Sequence, residues 1–215
     1  MIYEFPQQDA PIRQGDIFAN LPRVDLSLRS LAVVTDSEQI EQTSWGDLVS
    51  GGKSDISAVC GIKSVAAIVA TQDCDAQRSS DITLCEIRSI VEVDGSFKSC
   101  NSASSWMKVL TQQARKNLKW FYLPPDPTVG FTKKMGADFL VTIRVPLGDL
   151  LAYRNLRRAR LNAEADEHFR ERLSEFFRRY PYDEWYALNG EEFAKYREQY
   201  PESEPRDWQQ RVEAQ

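Results

Sequence analysis

VAAIVATQDCD, Val65 to Asp75, runs from six small or β-branched apolar residues through Thr71 and Gln72 into two carboxylates flanking a cysteine. The first part has the composition and length of a buried strand. The second reads in two ways: a catalytic triplet at a strand end, or a polar turn in which each Asp bonds nearby backbone. A buried strand needs strand neighbours, and the flanking sequence supplies them. Asp16–Asn20, Leu28–Thr35 and Ile82–Val91 are short alternating or β-branched runs between turn residues, and Asp94-Gly95 is a hairpin signal. Residues 36–63, polar and holding Gly51-Gly52, are expected to be a long loop, mobile at the glycine pair.

Beyond residue 100 the period changes. Ser102–Ser105 offer N-caps for an inserted helix over about 104–121, with Trp106, Leu110, Ala114, Leu118 and Phe121 on its apolar side. Three prolines in YLPPDPTVG end it. Asp138–Val145 alternates as a half-buried strand, with Phe139, Val141, Ile143 and Val145 on one face. Asp149–Arg160 and Ala163–Arg179 are expected to be two helices broken at Asn162, an N-cap, the second with a packing stripe of Ala165, Phe169, Leu173, Phe176 and Phe177. A further helical segment covers Glu191–Tyr200. The chain is therefore expected to be α+β: a β domain over 1–148 and a helical extension packed on it over 149–215.

With 42% hydrophobic and 27% charged residues the chain reads as globular, and no run approaches the ~18 apolar residues of a membrane span. The opening MIYEFPQQDAPIRQGD lacks the pattern of a secretory signal, which places the protein in the cytoplasm, with no membrane partner. The net charge of -5 is segregated: residues 101–179 carry 15 basic and 8 acidic side chains between two acidic flanks. Cys60, Cys74, Cys85 and Cys100 form no CxxC pair and the chain has one histidine, so no zinc signature is present. The cysteines read as small buried hydrophobes of a reducing compartment.

Four chemistries have candidates. Nucleophilic catalysis would pair Cys74 with His168. Metal-assisted hydrolysis would draw on Asp73, Asp75, Asp81 and Glu86. Nucleic-acid binding would use the basic middle, chiefly Lys116, Lys119, Arg154, Arg157 and Arg158, with Trp120, Phe121 or Tyr122 as stacking platforms for single-stranded RNA or DNA. A protein partner would be met by Trp185, Tyr186, Phe193, Tyr196, Tyr200 and Trp208. Neither a cofactor nor a metal is called for by any nucleotide or zinc motif.

The order RQGDIF (13–18), AAIVATQDCD (66–75) and DITLCEI (81–87) resembles the opening of the PemK/MazF toxin family. The resemblance covers about Arg13 to Ser89 with a long insertion, and implies a small SH3-like barrel. Those toxins are endoribonucleases that use an arginine of an Arg-Pro element and a polar partner on the next strand. Here Lys63-Ser64 stand in place of Arg-Pro, and Glu86-Ile87-Arg88-Ser89 stand where the partner threonine would end its strand. Lysine offers a point charge and no bidentate fork. The leading expectation is a non-enzymatic interaction or nucleic-acid-binding module of a toxin/antitoxin-type or phage-defence-type system. The alternative is a divergent endoribonuclease with Lys63, Asp73, Asp75 and Arg88 around the reacting phosphate, and a metal-dependent hydrolase is third.

Overall fold

The computed structural model describes residues 2–35, 37–52, 55–93, 95, 119–178, 190–202 and 204. The chain forms two compact units, Met1–Phe177 and Arg178–Gln215. In the first, seven strands make one antiparallel sheet: β1 (Tyr3–Glu4), β2 (Asp16–Val24), β6 (Ile62–Val69), β7 (Asp81–Ser89), β8 (Trp120–Leu123), β9 (Met135–Pro146) and β10 (Arg157–Leu161). Their spatial order is β1-β10-β2-β6-β7-β9-β8. The architecture is α+β, as expected. The expected barrel is not closed, because β1 and β8 end the sheet and pair with one neighbour each.

Val65–Val69 of VAAIVAT form the second half of β6, the middle strand between β2 and β7, and Ala70 and Thr71 follow its end. Ile68 on one face and Ala67 and Val69 on the other are completely buried, so the run has no polar alternation because both faces are covered. Ile17, Ile68, Cys85, Ile87, Ala137 and Phe139 form one core under α5 (Ala163–Phe177). The rings of Phe121 and Phe139 stand 5.1 and 5.7 Å from that of Phe169 on this helix. Phe18, Leu21, Ala67, Val69, Ile82 and Leu84 form the other core, closed by Ile12, by Ala76 of α2 (Asp73–Ala76) and by Leu150 of α4 (Leu147–Ala152).

Three irregularities decide which side chains reach which core. In β2 an extra residue sits between Phe18 and Leu21, with Asn20 at φ 59°, a conformation Asn tolerates. In β10 the extra residue is Arg158. In β9 the register jumps from Glu86↔Asp138 to Cys85↔Thr142. That odd offset turns Phe139 toward α5 and Ile143 toward the opposite core, so the expected single face Phe139–Val145 is divided.

Residues 36–63 are not a plain loop. They complete a second antiparallel sheet, β4-β3-β5, from β3 (Leu31–Val34), β4 (Ile40–Thr43) and β5 (Ala58–Val59), with α1 (Trp45–Ser50) following β4. This sheet is an insertion at the tip of the β2–β6 ladder, where Val24 faces Ile62.

The expected helix Asp149–Arg160 is also corrected. Only Leu147–Ala152 is α-helical; a 3-10 turn follows at Arg154–Leu156, and Arg157–Leu161 is a strand joined to β2. The main sheet thus continues past residue 148, and residues 149–177 lie within the first compact unit. The hairpin expected at Asp94-Gly95 has no strand before it, since Ile90–Val93 form the helical turn α3. Positions 104–118 of the expected inserted helix, Cys100, Trp185, Tyr186 and Trp208 lie outside the described residues, and Trp120 and Phe121 belong to β8. In the second unit α6 (Gly190–Gln199) has Glu191 and Glu192 in its first turn and Arg197 in its last, the polarity its dipole favours.

Candidate functional site

The two motifs that opened the sequence, RQGD and DCD, meet at one end of β6. Gly15 at φ +81° turns the chain into β2 with its N–H on the Val69 carbonyl and its C=O on the Leu161 N–H. A Cβ there would stand 2.9 Å from Asp166 Oδ1, so glycine is required on both counts. Asp73 opens the one-turn helix α2 and accepts from Arg13 Nε and Nη2 at 3.1 and 2.7 Å and from the Gln14 N–H at 2.8 Å. Arg170 of α5 lies 3.4 Å from Asp73 and bonds Asp166 one turn back at 2.5 Å. Burial disfavours ionisation of Asp73, but Arg13, Gln14 and Arg170 outweigh it and hold the carboxyl below its ordinary range. Asp166 is shifted the other way: burial and the nearby Asp73 charge raise it against the pull of Arg170 and Arg13, and its Oδ1 is buried with no hydrogen-bond partner among the described residues.

Beneath this rim lies Asp16, fully buried. It accepts from Arg160 Nε at 2.6 Å, Arg157 Nη1 at 3.2 Å and the Arg13 N–H at 3.0 Å. Arg157 also donates to the carbonyls of Gln7, Gln8, Ala10 and Pro11, at 2.7 to 3.3 Å, and its side chain is 3% exposed. A guanidinium has five N–H donors in a planar fork, and here they are turned inward on the carbonyls of one loop, with Arg160 sharing that of Pro11. Arg157 therefore holds the N-terminal loop on the sheet and is not a surface cation, contrary to its expected place in a nucleic-acid face.

At the other end of β6, cross-strand pairing lines up Arg23↔Lys63 and Glu86↔Asp138 on the face shared with Phe18 and Leu84. Arg23 bonds both Asp25 and Glu86; Lys63 Nζ reaches Asp25 at 2.6 Å; Arg88 sits 3.3 Å from Asp138 and 3.6 Å from Glu86. Glu86 and Asp138 are buried, directly opposed acids, and the two arginines compensate them. The four expected catalytic residues thus divide: Lys63 and Arg88 belong to this cluster, Asp73 to the opposite rim, and Asp75 is exposed in α2.

The remaining candidates separate further. Cys74, expected to tuck inward, is exposed, with its Sγ 3.9 Å from Gln72 Oε1, and Ala76 fills the core instead. His168 is not beside it: residues 166 and 170 are the ones that reach Asp73, and position 168 lies about 200° around the helix from 166. His168 lines a cleft of about 440 Å³ with Phe121, Tyr122, Pro124 and Glu164. Among the described residues no three of His, Cys, Asp and Glu are placed to hold a metal ion, since Asp81 pairs with Arg144 at 2.8 Å and Glu86 with Arg23. Lys119 stands 5.3 Å from the Trp120 ring centroid, Arg154 is half-buried, Arg158 is exposed, and Lys116 is outside the described residues.

Sequence reasoning missed the surface of the inserted sheet. Cross-strand pairs put Ala32, Val34, Ile40, Gln42 and Val59 on one face, and Val34, Ile40 and Val59 are 38%, 61% and 52% exposed. Glu41 and Thr43 fall on the opposite face, beside a cleft of about 600 Å³ lined also by Leu48, Asp55 and Ile56. The signal was the apolar run LAVV; its partner IEQT is too polar to announce a strand. No helix among the described residues is long and apolar enough to cross a membrane. Comparison of the chain with models of known families and with curated proteins returns no match.

Proposed function

We propose that the chain is a non-enzymatic interaction module that meets a protein partner through its inserted sheet, in a toxin/antitoxin-type or phage-defence-type system, on a divergent SH3-like scaffold. The observation that carries this reading is the set of exposed apolar side chains Val34, Ile40 and Val59 on one face of a small sheet. Such a face on an ordered element is the kind of surface a partner covers. The charged clusters point the same way. Arg13, Arg23, Arg88, Arg157, Arg160 and Arg170 are held by carboxylates, which suits rigid support better than a site awaiting substrate. The test is a photo-cross-linking residue at position 34 in the native host. A partner polypeptide should be captured, and the Ile40→Ser/Val59→Ser variant should lose it while its melting temperature stays within a few degrees.

A second reading, the divergent endoribonuclease, is favoured by one observation: Lys63, Arg23 and Arg88 share a sheet face with Glu86 and Asp138. Cleavage of a mixed single-stranded RNA that Lys63→Ala or Arg88→Ala abolishes would replace the first reading by this one.

A further inference from the structure

Among the described residues no strand pairs with the outer edge of β4, and the hydrogen-bond parity of that edge follows from the turn that precedes it. The Thr35 N–H donates to the Gln39 carbonyl at 2.8 Å, so this is a hydrogen-bonded pair, and the next such pair along the antiparallel ladder is Val33 with Glu41. On the other side the Val34 N–H donates to the Ser57 carbonyl at 2.8 Å, which fits the same alternation. The N–H and C=O of Glu41 therefore point to β3, and those of Ile40 and Gln42 point away from the sheet. An edge with outward main-chain groups is a template for an added strand.

The surroundings of that edge differ on the two faces. Next to Ile40 is Val34 on β3, and Val59 lies one strand farther on the same face. Next to Glu41 is the cleft that Asp55 also lines. Residues 24–62 as a whole carry Asp25, Asp36, Glu38, Glu41, Asp47 and Asp55 against Arg29 and Lys53. Side chains of a strand alternate between faces, so one extended segment can meet both environments only if it alternates in kind.

We propose that β4 binds an extended segment of a partner protein by strand addition, and that this segment alternates apolar and basic residues. The apolar ones flank Ile40, where the face that continues through Val34 begins, and the basic ones flank Glu41. Main-chain bonds to Ile40 and Gln42 supply register, and the two faces supply selectivity. The inference rests on the interaction-module reading and specifies the chemistry of its partner.

The experiment titrates the full chain with an eight-residue peptide of alternating Lys and Val, and with its Glu/Val counterpart, following the exposed Trp45 by fluorescence and the amides by hydrogen exchange. The Lys/Val peptide should bind at least tenfold more tightly than the Glu/Val peptide and slow exchange at the Ile40 and Gln42 amides. Gln42→Pro removes an outward donor and no ladder bond, which edge strands tolerate, and should weaken binding at least tenfold. Glu41→Lys should do the same by charge. Equal binding of both peptides, or binding that Gln42→Pro leaves intact, overturns strand addition. If the cross-link at position 34 persists in that case, the interaction-module reading stands without this docking mode; if it too is absent, both fall. Self-association in sedimentation that Gln42→Pro abolishes would make a second copy the occupant and overturn the basic-partner assignment.

Discussion

Cys74 and Cys85 differ only in where their strands leave them. Cys85 points into the core between β7 and α5, where burial, with a smaller contribution from Asp138, pushes its thiol up to about 12. Cys74 faces solvent in α2. Brief alkylation of the native chain at pH 8 should modify Cys74 and spare Cys85 until denaturant is added, read by peptide mass mapping; equal labelling would contradict the burial of Cys85. The acids of the Gly15 rim give a pH signature of two signs. Asp166 keeps its proton in the native state to higher pH than in the unfolded chain, so its cost to stability grows as pH rises above the ordinary value of 3.8 and stays at its full size once the native carboxyl has ionised. Asp73, held low beside Arg13 and Arg170, contributes stability above 3.8 that disappears as pH falls through its depressed native value. Urea midpoints between pH 3 and 7 should show Asp166→Asn gaining on the parent chain as pH rises above about 4. Asp73→Asn should lose ground as pH rises toward about 4 and run parallel to the parent above it. Parallel pH profiles for both variants would refute the opposite shifts.

β10 and α5 are adjacent in sequence and differ in how far their local pattern describes them. Asn162 was legible as an N-cap, and its Oδ1 accepts from the Ala165 N–H at 2.9 Å. Ala165, Phe169, Leu173 and Phe176 are buried as the helical period predicts, but Phe177, expected on the same stripe, is 69% exposed because it falls about 100° around the helix from Phe176. RNLRRARL was read as helix because nothing local opposes one. Its RRARL part is a strand because Arg157 and Arg160 find Asp16 and the loop carbonyls about 140 to 150 positions earlier in the chain. Arg157→Met should therefore cost about 3–5 kcal/mol, leaving a buried carboxylate short of a partner and the Gln8 and Ala10 carbonyls without their guanidinium donor. Arg158→Met, at the exposed bulge, should change stability by no more than ~0.5 kcal/mol. Urea denaturation of both variants checks the contrast, and equal losses would place Arg157 outside the fold's support.

At the scale of the molecule, the inserted sheet and the seven-stranded sheet are separable. Val24 and Ile62 already face each other across β2 and β6, so replacing residues 25–61 by Asn-Gly closes an ordinary two-residue hairpin. The shortened chain should melt within a few degrees of the parent, since Lys63–Asp25 is an exposed pair of little worth, and it should lose partner capture entirely. A collapse of the main sheet would show that the insertion helps to hold it. The sequence by itself determined what neighbours in the chain can decide: Val65–Val69 as a buried strand, and the cap and most of the stripe of α5. The tertiary structure decided what depends on partners far away. It turned IEQT and RRARL into strands, divided the face of β9 by a register jump, and sent Asp73 and Lys63 to opposite ends of one strand. The physical reason is that periodicity reports a side chain's own face, whereas sheet pairing, bulges and buried ion pairs are fixed by backbone and charge supplied from elsewhere in the chain.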